Sequence, residues 1–174
     1  MMPHPPVRVP RQGPDAPRRD TSKSLSVVPG AEGRGTVVLT GVSSDAHTWN
    51  LVYLQLLLEE LGWNVVNLGA TTPDRDIIEA CLRHQPDLLV VSSVNGHGHI
   101  DGARLITALR EVEELFGIPA VIGGKLGVAG EVGADQVVGL LGAGFDAVFQ
   151  DGVDVASFTR YLAVLADGRL AVTP

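Results

Sequence analysis

The chain has 174 residues, of which 45% are hydrophobic and 19% charged, and this composition is typical of a globular domain with a full core. Its 20 acidic residues outnumber 13 basic ones, and the net charge of −7 argues against general nucleic-acid binding. No apolar run reaches the roughly 20 residues of a membrane span and no apolar signal segment precedes the first charges, so we expect a cytoplasmic protein. Cys81, the single cysteine, is expected to be a buried structural thiol.

Residues 1–35 differ in composition from the rest of the chain. They are rich in proline and arginine and show little apolar periodicity. Such a segment cannot bury enough apolar surface to offset the entropy of ordering it. We therefore predict a disordered N-terminal extension at 1–35, followed by one folded domain at 36–174.

The folded part alternates between two kinds of apolar pattern. Short apolar runs predict strands at 36–42, 63–68, 87–93, 119–122 and 145–149. Apolar residues at helical spacing predict helices at 49–61, from 72–73 to about 84, from 101 to about 116, at 132–141 and at 155–166. Thr72 is predicted to cap the second helix, with Pro73 at its first position, and Asp101 is predicted to cap the third.

This alternation predicts an α/β fold with a doubly wound, five-stranded parallel sheet. Because crossovers between parallel strands are right-handed, the flavodoxin-like (Rossmann-like) strand order 2-1-3-4-5 is expected. Ligands of such sheets bind at the carboxyl ends of the strands, beside the switch point between strands 1 and 3. The loop residues that follow those strands are therefore the candidates for a site.

Asp45-Ala46-His47 follows the first predicted strand and is the most informative of these loop segments. A carboxylate that accepts the proton of one ring nitrogen fixes the imidazole tautomer, and the other nitrogen keeps a basic lone pair. That arrangement presents a histidine to a metal. Because no matching cysteine or histidine cluster accompanies His47, we expect a metal that brings most of its own ligands, as in a corrin or porphyrin.

Other sites of the same fold lack their defining residues here. A response regulator needs an acidic pair at the end of strand 1 and a lysine after strand 5, and the sequence has neither. The first strand-to-helix turn also lacks the Gly-x-Gly-x-x-Gly of dinucleotide-binding folds. Glycines, among them Gly98, Gly123 and Gly124, are expected on the loops of the carboxyl edge, with a glycine-rich turn after residue 122, and this cluster indicates a bulky ligand close to the backbone. His97 and His99 lie two apart on one of these loops without a third ligand in view, so a second metal is not expected.

Three segments, taken together, resemble the cobalamin-binding domains of vitamin B12-dependent mutases, most closely the small subunit of glutamate (methylaspartate) mutase. They are Asp45-Ala46-His47, Ser92-Ser93-Val94 and Gly123-Gly124, in the order of the family pattern Asp-x-His-x-x-Gly, Ser-x-Leu and Gly-Gly. The resemblance runs from about residue 36 to the C-terminus. It departs from the pattern at Asn50, where the family has glycine, and at Val94, where it has leucine.

The resemblance implies that the protein binds adenosylcobalamin with the nucleotide base displaced from cobalt. His47 would be the lower axial ligand of the metal, and Asp45 would orient its ring. The displaced tail would run between the sheet and the first and last helices. The implied cofactor-binding residues are Ser44, Asp45, Ala46, His47, Ser92, Val94, Asn95, Gly96, His97, Gly123, Gly124 and Gly152.

The resemblance also implies a partner, because one small domain cannot enclose a substrate above the cobalt. In the family, a large barrel subunit covers that face, binds the amino-acid substrate, and the pair catalyses a radical carbon-skeleton rearrangement. Two alternatives stay open, a corrinoid shuttle for methyl transfer and a non-catalytic cobalamin-binding or regulatory module. Asn50 is expected to keep the loop geometry by tolerating left-handed backbone angles while it narrows the tail slot. Cobalamin binding is then expected to be weaker than with glycine but not abolished, and Asn50→Gly is expected to tighten it. Trp49 is interpreted as core or loop packing, with contact to the ligand's tail as the alternative.

Overall fold

The computed structural model describes residues 33–128, 133–150 and 155–170, and its core is one parallel sheet. The strands are β1 (Thr36–Gly41), β2 (Asn64–Asn67), β3 (Leu88–Ser93), β4 (Ala120–Gly124) and β5 (Ala147–Gln150). The helices are α1 (Trp49–Glu60), α2 (Asp74–His84), α3 (Gly98–Arg110), α4 (Ala134–Ala143) and α5 (Val155–Leu170), with a 3-10 turn at Glu113–Leu115. The strand order is β2-β1-β3-β4-β5 and all four pairings are parallel, which confirms the predicted fold class and order.

The sheet is covered on both faces, as its continuously apolar strands require. All six residues of β3, the central strand, are buried. Because side chains alternate along a strand, Leu89 and Val91 pack with α2, α3 and α4, whereas Leu88 and Val90 pack with α1 and α5. Full burial of one such side chain contributes about 1.5–3 kcal/mol, so these two layers fix the sheet and the loops at its edge.

The start of α2 differs from the prediction by one residue. Pro73 has extended backbone angles (φ −63°, ψ 145°) and is itself the N-cap, so the helix begins at Asp74. The Thr72 hydroxyl does not cap the helix, because it donates to the carbonyl oxygen of Gly69 at 3.1 Å. The prediction of Thr72 as cap is therefore wrong, since its side chain closes the turn that follows β2.

The bounds of α3 also correct the sequence analysis. The helix begins at Gly98, and Asp101, predicted as its cap, lies within the first turn. Gly98 packs so closely on its neighbours that an added Cβ would lie 2.7 Å from Leu126 Cδ2, so the absence of a side chain is what allows this approach. The helix ends at Arg110, before the predicted end near 116, because Val112 adopts an extended backbone (φ −90°, ψ 114°).

Gly123 and Gly124 lie within β4, so the prediction of a glycine-rich turn after residue 122 is wrong. Gly123 pairs with Ser92 on β3, and Gly124 pairs with Gln150 on β5. Ladder pairing on both sides keeps the two glycines in the sheet despite the low strand propensity of glycine.

Cys81 is fully buried in α2, as predicted for a structural thiol. Burial raises the pKa of its thiol to about 12, so the reactive thiolate is absent at neutral pH. No helix in the described part of the chain has both the length and the apolarity to cross a bilayer. The predicted extension falls almost entirely outside the described residues and stays a prediction.

Candidate functional site

His47 and Asp45 lie on the loop between β1 and α1, at the carboxyl edge of the sheet. Asp45 Oδ1 accepts a hydrogen bond from the backbone N–H of His47 at 3.0 Å and lies 2.7 Å from His47 Nδ1. Since an ionised carboxylate can only accept, Nδ1 carries the ring hydrogen and Nε2 keeps its lone pair. The His47 side chain is 52% exposed, and no described residue occupies its Nε2.

Asp45 is held rigidly beneath that ring. Its side chain is 1% exposed, and Oδ2 accepts hydrogen bonds from the backbone N–H of Val94 at 2.6 Å and from the Ser93 hydroxyl at 3.1 Å. Burial alone would raise the pKa of Asp45, but the hydrogen bonds from Val94, His47 and Ser93 outweigh it and hold the pKa below its usual value. Asp45 is therefore an ionised, fixed acceptor at neutral pH.

The site offers one protein ligand to a metal. Among the described residues, no group of three or more His, Cys, Asp or Glu side chains could hold an ion. His99 Nδ1 lies 2.9 Å from the carbonyl oxygen of Leu126 and must donate to it, so His99 lacks the carboxylate partner that His47 has. A lone imidazole with a fixed tautomer fits a metal that already carries a ring of equatorial ligands.

The loop between β3 and α3 joins the His47 loop through Asn95. The Asn95 amide nitrogen donates to the carbonyl and hydroxyl oxygens of Ser44, both at 2.9 Å, and its Oδ1 accepts from the backbone N–H of His97 at 2.9 Å. Gly96 takes a φ of +84°, which favours glycine, and Ala46 is exposed on the neighbouring loop. The structure thus brings the predicted loop residues together around the Asp45–His47 pair.

A charged network that the sequence analysis missed supports the same two loops. The Ser44 hydroxyl donates to Asp101, and Arg104 pairs with Asp101 and with Asp74, each at 2.6 Å. Arg104 also donates to Ser43 Oγ at 2.9 Å. The i,i+3 spacing of Asp101 and Arg104 on α3 is a visible signal for one of these pairs, whereas the contacts to the other loops are not readable from spacing.

A cavity of about 210 Å³ lies between the sheet and helices α1 and α5. Most of its wall consists of aliphatic and aromatic side chains from those elements. The predicted binding residues Ser92, Val94, Gly123 and Gly124 all line it. Trp49, the first residue of α1, lines the cavity too but is 64% exposed. Packing in the core is therefore wrong for Trp49, and its contact with a ligand's tail stays a prediction.

Asn50 also lines this cavity and is 5% exposed. Its Nδ2 donates to Ser92 Oγ at 2.8 Å, and its Oδ1 is buried with no hydrogen-bond partner among the described residues. Asn50 is the second residue of α1, and the described non-glycine residues with positive φ are Thr71 and Gln85. The expected left-handed backbone role of Asn50 is therefore wrong, because its contribution comes from the side chain.

The glycine pair of β4 is required by the sheet itself. A Cβ on Gly123 would lie 2.9 Å from the Phe149 carbonyl oxygen, and a Cβ on Gly124 would collide with the carbonyl oxygen of Ser93. Gly124 also has a φ of +107°. These contacts require glycine at both positions even when no ligand is bound. Space for a ligand beside the two glycines would be a second reason for them. Gly152, the remaining predicted binding glycine, lies outside the described residues.

We expect Gly124→Ala to destabilise the fold by about 1–3 kcal/mol, because the alanine combines an unfavourable φ with a backbone collision. Gly139→Ala is the matched control, since no atom lies within 4 Å of a Cβ built there on α4. It should stabilise the helix by about 0.5–1 kcal/mol. Denaturant unfolding of both variants measures the difference, and equal stabilities would contradict this account.

Ser93 is the site residue that the sequence analysis left without a role. It is fully buried, and its Oγ lies 3.1 Å from both Asp45 Oδ2 and Asn95 Oδ1. Strand alternation is the signal that could have found it. Because Ser92 faces the α1 side of the sheet, its neighbour Ser93 must face the other side.

The fold and these residues can be compared with known proteins. Residues 35–156 match the family model described as B12 binding domain. A glutamate mutase sigma subunit from Fusobacterium nucleatum is 31% identical over 68% of this chain and 87% of its own length. The glutamate mutase sigma subunit of Treponema denticola is 35% identical over 72% of this chain and 90% of its own length.

Solved structures confirm the fold. A cobalamin-binding protein from Desulfitobacterium hafniense superposes with a TM-score of 0.60 at 20% identity, over 74% of this chain and 59% of that one. A putative response regulator from Chloroflexus aurantiacus also reaches 0.60, at 15% identity, over 76% of this chain and 98% of that one. Backbone similarity alone therefore does not separate the two classes, whereas the sequence match does. The chain belongs to the B12-binding domain family.

Proposed function

We propose that the chain binds adenosylcobalamin through His47 and is the cobalamin-binding small subunit of a carbon-skeleton mutase of the glutamate mutase type. The observation that carries the proposal is the buried Asp45 carboxylate fixed against His47 Nδ1, which leaves Nε2 as an accessible basic ligand. Membership of the B12-binding family supports the cofactor. The relatives named as glutamate mutase sigma subunits support the reaction class.

The residues present fit such a cofactor. His47 Nε2 would be the lower axial ligand to cobalt, and the loop residues around it, Ser44, Ala46, Asn95, Gly96 and His97, would lie under the corrin. The aromatic base displaced by His47 would enter the cavity between the sheet and helices α1 and α5, whose walls are mainly apolar. Ser92, Val94, Gly123 and Gly124 would contact it, and a contact from Gly152 stays a prediction.

When bound, adenosylcobalamin supplies homolysis of its cobalt–carbon bond, which starts the radical rearrangement. The chain's own residues would hold the cofactor: Asp45 would orient the His47 ring that binds the cobalt, and the cavity between the sheet, α1 and α5 would take the displaced base. A large barrel subunit would cover the opposite corrin face, bind the amino-acid substrate and exclude water from the radicals.

The outer face of α1 supports a partner. It exposes Trp49, Val52, Tyr53 and Leu56, each at least half accessible, at the i, i+3, i+4, i+7 spacing of one helix face. Contiguous apolar patches of this kind are typical of protein interfaces, whereas scattered apolar residues are ordinary surface. The cytoplasmic location expected from the sequence stays a prediction.

Spectroscopic titration of the purified chain with cobalamin tests the proposal. Replacement of the tail base by His47 should give the absorption spectrum of a base-off, histidine-ligated corrinoid. A corrinoid that stays base-on in the presence of saturating protein would contradict it. A methyl-transfer shuttle or a non-catalytic module would give the same spectrum, so the partner-dependent activity described in the Discussion separates those alternatives.

Asp45→Asn should weaken cobalamin binding by roughly 10–100-fold, which is the usual loss when a residue that orients a metal-bound histidine is replaced. The amide keeps the size of the side chain but can turn its NH₂ toward Nδ1, which then favours the tautomer with the hydrogen on Nε2. Affinity from the same titration measures the effect. Asp87→Asn, at the opposite end of the sheet where Asp87 accepts from the Thr36 backbone, is the control and should leave cobalamin affinity unchanged.

A further inference from the structure

Asn50 and Ser92 form a buried polar pair in the wall of a mainly apolar cavity. Asn50 Nδ2 donates to Ser92 Oγ at 2.8 Å, from α1 to the end of β3. Both side chains are at least nine-tenths buried, at 5% and 3% exposure. A buried hydrogen bond joining two elements next to a cavity restricts what each partner can offer a ligand there.

The hydroxyl of Ser92 has one hydrogen, and the direction of the bond decides where that hydrogen goes. Because Asn50 donates into a lone pair of Ser92 Oγ, the hydroxyl is an acceptor in this pair and its own hydrogen is left over. Within the described part of the chain, the Ser92 hydroxyl donates no hydrogen bond. A buried donor without a partner is unfavourable by about 1–3 kcal/mol, so its presence at a cavity wall points to a ligand that accepts.

We propose that Asn50 is a positioning residue, which turns the Ser92 hydroxyl into a hydrogen-bond donor for an acceptor atom on the nucleotide tail of the corrinoid. The acceptor class is an aromatic ring nitrogen. This inference rests on the proposed function: once His47 takes the axial position, the ring nitrogen of the displaced base has a free lone pair. Burying that lone pair in an apolar cavity is unfavourable unless a donor meets it.

The hydrogen bond reverses the direction of effect expected from the sequence. From the sequence alone, Asn50 in place of the family's glycine narrows the slot and weakens binding. The structure instead gives Asn50 a partner that lines the slot, so its removal frees Ser92 to rotate and to lose its orientation toward the ligand. Asn50 Oδ1 has no hydrogen-bond partner among the described residues, so the amide does not belong to a fully satisfied buried network.

The test compares cobalamin with cobinamide, a corrinoid that lacks the nucleotide tail. We expect Asn50→Ala to lower the affinity of the full chain for cobalamin by about tenfold, the loss of one oriented hydrogen bond to a buried acceptor. Affinity for cobinamide should stay within about twofold, because cobinamide never reaches Ser92. A residue with a purely structural role would change both affinities together.

A double-mutant cycle with Ser92→Ala separates an action through Ser92 from direct contact with the tail. We expect Ser92→Ala to lower cobalamin affinity by about tenfold or more and Asn50→Ala to add nothing to it. Additive losses, or an equal loss for cobinamide, would overturn the positioning role. If wild-type protein gives no histidine-ligated spectrum with either corrinoid, the proposed function itself fails, and this inference fails with it.

Discussion

His47→Ala should abolish the histidine-ligated spectrum of bound cobalamin and lower its affinity by about 100-fold or more, a larger loss than replacement of an orienting residue such as Asp45 produces. The reason is that Nε2 of His47 is a fixed imidazole lone pair on a half-exposed ring, and a buried carboxylate orients that ring. Cobalamin bound by the variant should keep its own base on cobalt. Absorption spectra recorded during titration measure both the ligation and the affinity.

His84→Ala is the matched control, since His84 is exposed at the C-terminal end of α2 and is not one of the predicted binding residues. It should leave the ligation spectrum unchanged. Far-ultraviolet circular dichroism should be the same for both variants, because neither imidazole belongs to the packed core. An unaltered spectrum in His47→Ala would contradict the assignment of His47 as the cobalt ligand.

The sheet order could be predicted because each strand is a short apolar run and each crossover is long enough for a helix. Those patterns depend on burial alone, and burial is what a sequence reports best. The Asp45–His47 pair could be predicted equally well, since the two residues are only two positions apart on one loop. Local chemistry and periodic burial are therefore the parts of this protein that sequence predicts.

Glycines show where sequence reasoning stops. Gly98 and the Gly123–Gly124 pair were assigned to loops by local propensity, yet the first begins α3 and the other two continue β4. In each case close tertiary packing overrides propensity, because a Cβ at these positions would collide with a neighbouring element. Such collisions arise between segments far apart in sequence, so no local window contains them.

The Asn50–Ser92 hydrogen bond belongs to the same class, since 42 residues separate its partners. The sequence marks both positions, one as a departure from a family pattern and one as part of a motif, but it does not show that they touch. Without knowledge of that contact, the sequence suggested only that the Asn50 side chain narrows the tail slot. Replacement of Asn50 is expected to tighten cobalamin binding when only the sequence is considered, and to weaken it once the hydrogen bond to Ser92 is known.

Without a partner subunit, the chain loaded with adenosylcobalamin should not catalyse any carbon-skeleton rearrangement of glutamate. In the described part of the chain, the cavity on the α1 and α5 side would hold a base, and His47, which would bind the cobalt, lies half exposed. A radical generated there would be exposed to water and oxygen, which an active site must exclude. Anaerobic assay for 3-methylaspartate, with the chain alone and with a large subunit of glutamate mutase type, measures the difference.

Activity should appear only when the large subunit, adenosylcobalamin and this chain are all present, and His47→Ala should remove it. Leu56→Asp, on the outer apolar face of α1, tests whether that face contributes to assembly: Leu56 is 62% exposed, so a charge there leaves the fold intact. Loss of activity that high concentrations of the large subunit restore would place the partner on α1. Turnover by the chain alone would refute the small-subunit assignment, because a single domain would then have to bind substrate and protect radicals by itself.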